Sequence, residues 1–562
     1  MRLGRFRWFV AACLTLLTLL LGAQEAPGPS LEVGEPHTGL LGPGEAHRFA
    51  AVLEKGEYVK VVALQKGVDL VLSAFDPDGA RIAEVDSPNG AFGPEPWEGE
   101  IPKSGRYVFQ VSSPGPNLKP GAYEIRLTLR LSADQYASHK ILSLEPGVLE
   151  RFRGNFEVGP GRVIFVGPMA GIFTAGGKDI LYFRDSQTRR TGPLYPVSAT
   201  RFFSGPDLGE PYPPEDEFAF TLSAEGVPDS LVWTPRGGSP VKARKVDPFR
   251  YEPVAFESGG ATLKGYVLVP EGRGPFPAVL HVNGSQGSRA DVGPAGNFFV
   301  RQGFLFMAFD KRGAGQSTGR WQEASLEDLA GDVLRGLEVL KSRPDVNPRR
   351  MGLWGASQGG WVAAIAASRS PDVSFLVVQS GSGVSVVENM AHESRSQMAG
   401  AGLSGADLEE GSALVGRLLG MMADGKPHEE IAAVGAAAEG KPYAPFAAFG
   451  KLPRDHYLWK WVRLCGHTDS ADALRKVRCP VLWFLGDRDS QVPAAVSEKR
   501  ILDALAAAGN PDYTVKVLSP ANHGLLECST GLWSEVRTCK RYVPGYWETM
   551  ADWLKGHTGG PR

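Results

Sequence analysis

The feature that most restricts how this chain can fold is the stretch from Arg350 to Ser368, which reads RMGLWGASQGGWVAAIAAS. The apolar residues before Ser357 predict a buried strand, and the alanine-rich residues after it predict a helix. The junction from Gly355 to Gly359 has the pattern G-x-S-x-G, whose glycines allow a sharp strand-to-helix turn. Such a turn would hold the serine hydroxyl at the edge of a sheet, beside helix N–H groups that favour an anion.

The pattern alone is weak evidence, because Gly315-Gln-Ser317-Thr-Gly319 matches it as well. That copy lies in a glycine-rich loop, without a strand directly before it or a helix directly after it. The sequence therefore predicts that Ser357 is a nucleophile and that Ser317 is a loop residue. A glycine-rich turn that carries an incidental serine is the alternative for Ser357.

The length of the chain predicts several domains. With 562 residues it is too long for one ordinary domain, and two or three are expected. It has 43% hydrophobic and 22% charged residues, which is the composition of a globular protein. The formal net charge of -2 and the lack of a basic run in the sequence indicate no nucleic-acid partner.

Residues 1–23 have the pattern of a signal peptide. Arg2, Arg5 and Arg7 precede an apolar run over residues 8–21, and small residues follow it. The apolar run is shorter than the roughly 20 residues that a spanning helix needs, which favours cleavage over an uncleaved anchor. We therefore expect a secreted or periplasmic protein with no stable membrane span after cleavage.

Export would change how the cysteines are interpreted. Four remain after cleavage: Cys465, Cys479, Cys528 and Cys539. An oxidising compartment favours two disulfides, and among three connectivities we prefer the local pairs Cys465–Cys479 and Cys528–Cys539. Four free thiols are the alternative. No cysteine has the spacing or the histidine partners of a zinc site, so no metal is expected.

The pattern of predicted elements divides the chain into three domains. Strand-like runs separated by glycine and proline predict a β-sandwich accessory domain over residues 24–133 and a second small β-domain over residues 139–246. From 251 to 558 strands alternate with helices, which predicts a mostly parallel sheet covered by helices on both faces. Residues from about 384 to 470 interrupt this pattern, and we interpret them as an inserted helical lid.

A serine hydroxyl needs a base, and the base needs an acid that orients it. Asp487 and Asp489 both follow a predicted strand over Val481–Leu485. Asp489 lies further into the loop, from which its carboxylate can turn across the sheet edge, so we prefer it. Asp487 lies nearer the strand end, where it would only cap the loop.

His523 is the candidate base. It follows a predicted strand that ends at Leu518 and precedes Gly524 in a short loop. The order Ser357, Asp489, His523 along the chain is the nucleophile–acid–base order expected for a serine at such a turn.

An oxyanion formed at Ser357 needs two backbone N–H donors. One is expected from Gln358, which directly follows the nucleophile. The other is expected from the glycine-containing loop after a predicted strand over Phe276–Val282. Ser285 is our choice there and Gly284 is the alternate; a tight turn with no catalytic role is the competing interpretation.

Residues from about 250 to 558 resemble the α/β-hydrolase superfamily, near its dienelactone hydrolase, prolyl-peptidase-like and acyl-thioesterase branches. The motifs that carry the resemblance are Asn283-Gly-Ser285, Asp310-Lys-Arg312-Gly-Ala-Gly315-Gln-Ser317, Gly355-Ala-Ser357-Gln-Gly-Gly360, Gly486-Asp-Arg-Asp489-Ser-Gln-Val-Pro493 and His523-Gly524. The resemblance implies acyl transfer to water through a covalent acyl-serine, without a cofactor. Asn283 is a departure, since many relatives have a histidine there.

The first β-domain has a resemblance of its own. Gly56-Glu-Tyr58, Phe75-Asp-Pro-Asp-Gly79 and Ser104-Gly-Arg-Tyr107 resemble the pre-peptidase-type jelly-roll modules of secreted bacterial enzymes. This implies a non-catalytic accessory module.

These observations predict a secreted serine hydrolase that cleaves carboxylic esters of small molecules. A serine peptidase or aminoacyl-amide hydrolase that acts on short peptides with the same residues is the first alternative. A non-catalytic binding protein with a degenerate hydrolase core is the second.

Overall fold

The structure is a computed structural model that describes residues 28–87, 92–113, 120–169, 180–207, 209–246, 249–285, 290 and 293–558. The chain divides into two compact units, Met1–Lys140 and Ile141–Arg562. The predicted signal peptide over residues 1–23 lies outside the described residues.

The first unit is a β-sandwich. In β3 every second residue is buried, including Val59, Val61 and Ala63, as expected for a strand with one face on a core. Two four-stranded antiparallel sheets, ordered β1-β8-β3-β6 and β2-β7-β4-β5, bury one shared apolar core. The elements are β1 (His37–Leu41), β2 (Ala46–Leu53), β3 (Tyr58–Lys66), β4 (Val71–Phe75), β5 (Arg81–Val85), β6 (Phe92–Glu100), β7 (Gly105–Ser112), β8 (Gly121–Leu131) and the short helix α1 (Ala133–Ser138). The sandwich prediction is confirmed.

The second unit begins with a closed antiparallel barrel. Its interior is filled by aromatic rings such as Phe156, Phe183 and Phe218, each almost fully buried. The barrel closes where β16 pairs with β9, and closure removes the exposed edges that an open sheet would have. Its elements are α2 (Pro146–Leu149), β9 (Gly154–Gly159), β10 (Arg162–Met169), β11 (Ile180–Asp185), β12 (Thr191–Pro196), β13 (Arg201–Phe203), β14 (Glu217–Leu222), β15 (Pro228–Thr234) and β16 (Val241–Lys245). The sequence predicted strands here but not their closure.

The rest of the second unit is built on an eight-stranded sheet ordered β17-β18-β20-β19-β21-β22-β23-β24. The first three strands pair antiparallel, and the remaining pairs are parallel. All six residues of β23 are buried, as expected for a parallel strand covered on both faces. The strands are β17 (Phe249–Ser258), β18 (Ala261–Pro270), β19 (Phe276–Val282), β20 (Leu305–Phe309), β21 (Val346–Ala356), β22 (Phe375–Gln379), β23 (Val481–Gly486) and β24 (Tyr513–Leu518).

Helices cover both faces of this sheet and form one apolar core on each side. A capping box at Ser325 starts the helix that spans Leu326–Lys341, whose apolar residues face the core. The helices outside the insertion are α3 (Gly293–Arg301), α4 (Leu326–Lys341), α5 (Gln358–Arg369), α11 (Ala494–Ala507) and α12 (Tyr546–Thr558). Among the described residues, no helix is both long enough and apolar enough to cross a membrane.

The predicted interruption between β22 and β23 is a helical insertion, as expected. It has a small core of its own, which includes Met398, Leu418 and Ile431. Its helices are α6 (Val386–Gly400), α7 (Gly405–Ala423), α8 (His428–Gly435), α9 (Tyr457–Cys465) and α10 (Ser470–Leu474).

The barrel packs directly on the sheet domain within the second unit. The buried guanidinium of Arg184 in β11 lies 4.0 Å from the ring of Trp547 in α12. The N–H of Thr191 at the start of β12 donates to the carbonyl oxygen of Lys540 at 2.7 Å. The Lys540 ammonium in turn lies 2.7 Å from the Glu215 carboxylate of the barrel. The barrel therefore contacts the segment that leads from the last strand to the last helix.

Candidate active site

Ser357 lies in a strained turn between β21 and α5. Its backbone has φ 56° and ψ -122°, a conformation that residues other than glycine rarely adopt and that the surrounding structure must hold. Its N–H donates to the Gln379 carbonyl oxygen at 2.9 Å, and its carbonyl oxygen accepts from the Gly360 N–H at 2.8 Å. The turn is thereby fixed from both sides.

The two outer glycines of the pattern are sterically required. A Cβ on Gly355 would lie 2.5 Å from the Gly359 carbonyl oxygen. A Cβ on Gly359 would lie 2.3 Å from the carbonyl oxygen of Val282 at the end of β19. Both contacts are with backbone atoms, so neither is easily relieved.

The second match to the pattern has a different environment. The Ser317 hydroxyl donates to the Asp310 carbonyl oxygen at 2.7 Å and accepts from the Lys264 N–H at 2.9 Å. The buried Ser317 side chain therefore stabilises its own loop through these two hydrogen bonds. Its interpretation as a loop residue is confirmed.

Asp489 and His523 form a hydrogen-bonded pair at the carboxyl edge of the sheet. Nδ1 of His523 lies 2.7 Å from Oδ2 of Asp489. The other carboxylate oxygen, Oδ1, accepts the N–H groups of Gln491 at 2.8 Å and Val492 at 2.9 Å. The carboxylate is buried, so these bonds fix its orientation. Ser357 follows the fifth strand in sheet order, and the two members of the pair follow the seventh and the eighth.

Asp487 has another role. Its carboxylate accepts the hydroxyl of Ser519 at 2.6 Å and the N–H of Ala521 at 2.9 Å. It therefore ties the loop after β23 to the loop after β24, which is the capping role that the sequence suggested for it.

The electrostatic surroundings of His523 favour its charged form. Burial lowers the pKa of His523, but the charge and the hydrogen bond of Asp489 together outweigh burial, and the charge of Glu393 adds to them. The pKa of His523 is therefore raised above its usual 6.5. Glu393 lies on α6 of the insertion, and burial raises the pKa of its carboxyl group.

The insertion contacts the loop that carries Asp489. Nε2 of His392, also on α6, lies 3.4 Å from the Asp489 carbonyl oxygen. The sequence analysis did not single out Glu393. Its only signal would have been an acidic residue in the middle of an inserted helix, which is common on solvated surfaces.

Gln358, Gly284 and Lys311 surround the turn at Ser357. Gln358 is the first residue of α5, so its N–H has no partner within the helix. A Cβ on Gly284 would lie 3.9 Å from the Ser357 Cβ, which places this loop directly beside the serine. Ser285 follows as an exposed residue, and Asn283 braces the loop by donating from Nδ2 to the Phe309 carbonyl oxygen at 2.9 Å.

Lys311 is a buried cation that the sequence analysis missed. Nζ of Lys311 lies 2.5 Å from the Gly284 carbonyl oxygen and 2.7 Å from Oε1 of Gln358. Burial lowers the pKa of Lys311 to about 7. A signal was present, because Lys311 comes two residues after a fully apolar strand at the edge where the other site residues were expected.

The predicted disulfides are wrong: Cys465, Cys479, Cys528 and Cys539 are all free thiols. The Cys465 sulfur, at the end of α9, faces the Ala324 carbonyl oxygen at 3.9 Å. The Cys528 sulfur faces the Pro520 carbonyl oxygen at the same distance. Closeness in sequence did not bring the Cβ atoms into the narrow geometry that a disulfide requires.

The described part of the chain has no cluster of three or more His, Cys, Asp or Glu side chains that could hold a metal ion. His281 in β19 is half-buried and packs against aromatic rings, with 5.0 Å between its ring centroid and that of Trp354. Burial lowers the pKa of His281 to about 4, so it is neutral and structural.

A cavity of about 280 Å³ lies between the barrel and the site edge. Gly524, next to His523, and Gln379, which accepts the Ser357 N–H, line it on the sheet side. Phe183 and Pro193 are among the barrel residues that form the opposite wall. A larger groove of about 1310 Å³ lies between the barrel and β17–β18, and neither this groove nor the smaller cavity is lined by any of the predicted site residues.

The strand order, the two antiparallel leading strands and the serine at the turn after β21 are those of the α/β-hydrolase fold, so the predicted fold is confirmed. Residues 259–524 match the family model described as X-Pro dipeptidyl-peptidase (S15 family), which covers just under half of the chain.

The individual proteins and structures that this chain resembles share 16% to 30% sequence identity with it. An uncharacterized protein of Mycobacterium tuberculosis is 26% identical over 289 residues, which are 51% of this chain and 77% of that protein. Thiohydrolase aneE of Aspergillus aculeatus is 30% identical over 120 residues, 21% of this chain and 37% of that protein. The structure of the Pyrococcus furiosus esterase Pf2001 is 16% identical with a TM-score of 0.35, and the match covers 55% of this chain and 92% of that one. Similarity at these levels specifies no substrate.

Proposed function

We propose that this α/β-hydrolase is a serine hydrolase that cleaves carboxylic esters through an acyl-Ser357 intermediate. The observation that carries the proposal is the 2.7 Å bond between His523 Nδ1 and the anchored Asp489 carboxylate. It leaves Nε2 as the nitrogen that accepts a proton, at the sheet edge to which the strained turn presents Ser357.

In the first half of the reaction, Nε2 of His523 takes the hydroxyl proton as Ser357 attacks the ester carbonyl carbon. Asp489 keeps the imidazole in the required tautomer and stabilises the imidazolium. The tetrahedral intermediate then collapses, the bond to the alcohol oxygen breaks, and His523 returns the proton to the leaving alcohol. In the second half, His523 activates a water molecule that releases the acid and regenerates Ser357.

The negative charge of the intermediate needs donors at the turn. The Gln358 N–H at the start of α5 is one of them, and Ser285, or Gly284 as the alternate, supplies the other. Each such donor contributes on the order of 10²-fold to 10³-fold in rate.

The inserted helix α6 contacts the Asp489 loop and would control access to it. An extracytoplasmic location, inferred from residues 1–23, stays a prediction.

The proposal is tested by labelling purified protein with a fluorophosphonate probe and by measuring hydrolysis of p-nitrophenyl esters of increasing acyl length. Wild type should react at Ser357 and hydrolyse p-nitrophenyl esters, whereas S357A and H523A should do neither. S317A is the matched control, because it removes the serine of the other G-x-S-x-G pattern and should still be labelled. Equal hydrolysis by wild type and S357A would refute the proposal.

A peptidase or aminoacyl-amide hydrolase is the second candidate, and the match to the X-Pro dipeptidyl-peptidase family model favours it. The Glu393 carboxylate near His523 is a group to which a substrate ammonium could bind. Esters are nevertheless the less demanding substrates, because the ester carbonyl is less stabilised by resonance than the amide carbonyl and an alkoxide leaves more readily than an amide anion. Dipeptidyl-proline anilides compared with p-nitrophenyl esters separate the two functions; anilide cleavage with the higher kcat/KM would favour the second.

A further inference from the structure

We propose that Lys311 is a positioning residue that joins the two sides of the oxyanion hole and holds their N–H donors at a fixed spacing. The inference rests on the proposed function, since it concerns the anion formed at Ser357. It assigns a role to a buried cation that the mechanism above does not use.

Lys311 bridges two elements that are far apart in sequence. Its side chain is only 3% exposed, and Nζ is bonded to the Gly284 carbonyl oxygen on one side and to the Gln358 side chain on the other. Gly284 belongs to the loop after β19, and Gln358 begins α5. These are the elements that carry the proposed donors.

The bond to Gly284 also sets the direction of a donor. The peptide bond between Gly284 and Ser285 is trans, since it is not among the cis bonds of the described chain. In a trans peptide the carbonyl and the following N–H point in opposite directions. Because Lys311 holds the Gly284 carbonyl oxygen, it fixes the orientation of the Ser285 N–H.

The burial of a charged group at this position indicates that Lys311 does more than fill space in the core. A buried ammonium is unfavourable unless an anion compensates it. The neighbouring Arg312 has such a partner, the Asp332 carboxylate at 2.6 Å. Lys311 instead faces Gln358, the Trp321 ring at 5.8 Å and Cys465. Burial raises the pKa of the Cys465 thiol to about 12, so the thiol is neutral, and Lys311 has no ion-pair partner among the described residues.

The test is K311M, which keeps the length of the side chain and removes its charge and its two hydrogen bonds. At pH 6.5 we expect kcat for a p-nitrophenyl ester to fall by about 100-fold, the usual cost of losing one oxyanion donor, with KM changed by less than about threefold. The matched control is K341M, whose exposed ammonium binds Asp372 at the far end of α4, and it should behave as wild type. A kcat within threefold of wild type, or a loss confined to KM, would overturn the proposal.

The pH profile of kcat tests whether the charge of Lys311 matters, because a contribution from packing alone would not depend on pH. The ammonium form of Lys311 is lost as pH rises through about 7, whereas His523 becomes a base as pH rises through its own raised pKa. Deprotonation leaves Lys311 two N–H donors but removes the charge that strengthens its bonds to Gly284 and Gln358, so wild type should show a falling limb above neutral pH and K311M should lack that limb. If both profiles fall alike, the assignment is wrong.

A second variant covers the case in which K311M does not fold. Q358M removes the other end of the bridge and keeps the backbone N–H, so kcat should fall with KM nearly unchanged. Wild type that neither hydrolyses an acyl substrate nor is labelled at Ser357 would refute the proposed function itself. Active wild type with variants that match it would refute only the role of Lys311.

Discussion

The bond between Asp489 and His523 allows a prediction for the substitution D489N, which preserves size and removes one charge. Oδ1 of Asp489 accepts two backbone N–H groups, those of Gln491 and Val492. The asparagine side chain must therefore keep its oxygen at that position, because an amide nitrogen there would face two donors. Its NH2 group then faces Nδ1 of His523 and forces Nδ1 to accept, which moves the ring proton to Nε2.

The expected loss follows from this change of tautomer. With its proton on Nε2, His523 cannot take the proton of Ser357. The same substitution in the Ser-His-Asp template lowers kcat by about 10⁴-fold, which corresponds to about 5 kcal/mol of activation free energy. Without the carboxylate, burial dominates the protonation of His523, so its pKa should fall below 6.5.

The assay is kcat and KM for a p-nitrophenyl ester across pH 5 to 9. D487N is the matched control, because the hydrogen bonds of the Asp487 carboxylate to Ser519 and Ala521 join two loops and do not involve His523. We expect D487N to lose about 1 kcal/mol of stability but to keep its kcat within about tenfold. D489N activity within tenfold of wild type, in folded protein, would refute the assigned orientation of the pair.

Three further predictions concern single side chains. E393Q should shift the rising limb of the pH profile to lower pH, because the Glu393 charge helps to raise the pKa of His523; an unshifted limb would contradict this. R184A should lower the unfolding free energy of the second unit by about 2 kcal/mol in urea titrations, since Arg184 stacks on Trp547 in a buried contact, and an unchanged midpoint would contradict it. G359A should lower kcat/KM by at least about 100-fold, because its Cβ would meet backbone at 2.3 Å and displace the turn; wild-type activity would show that the turn can relax.

The sequence predicted the parallel sheet well because each strand there is a short, continuous apolar run between glycine-rich or polar loops. The predicted strand Phe276–Val282 and the predicted strand end at Leu518 agree with the observed bounds. The observed strand Val346–Ala356 is longer than the apolar run before Ser357, since polar residues such as Asn347 and Arg349 precede its buried part. An apolar run in the sequence indicates which part of a strand is buried. It does not indicate how far the hydrogen bonds to the neighbouring strands extend.

Features that depend on contacts between distant segments could not be predicted. Closure of the barrel requires β16 to pair with β9, about 90 residues earlier, and alternation within each strand does not specify a partner. The burial of Lys311 likewise depends on α5 and on the loop after β19. The disulfide prediction failed for the same reason, because spacing along the chain does not determine where Cβ atoms point.

The contact between Thr191 and Lys540 has a consequence for anyone who would trim this protein. The segment from Leu525 to Val543 continues from the His523 loop. It forms backbone hydrogen bonds with Arg189 and Thr191 of the barrel. An enzyme shortened to begin at Phe249 would keep every residue proposed for chemistry, yet it would expose this segment and half of the cavity wall to water. The barrel is therefore part of the same folded unit as the site, and a minimal active fragment should begin before the barrel, near Ile141.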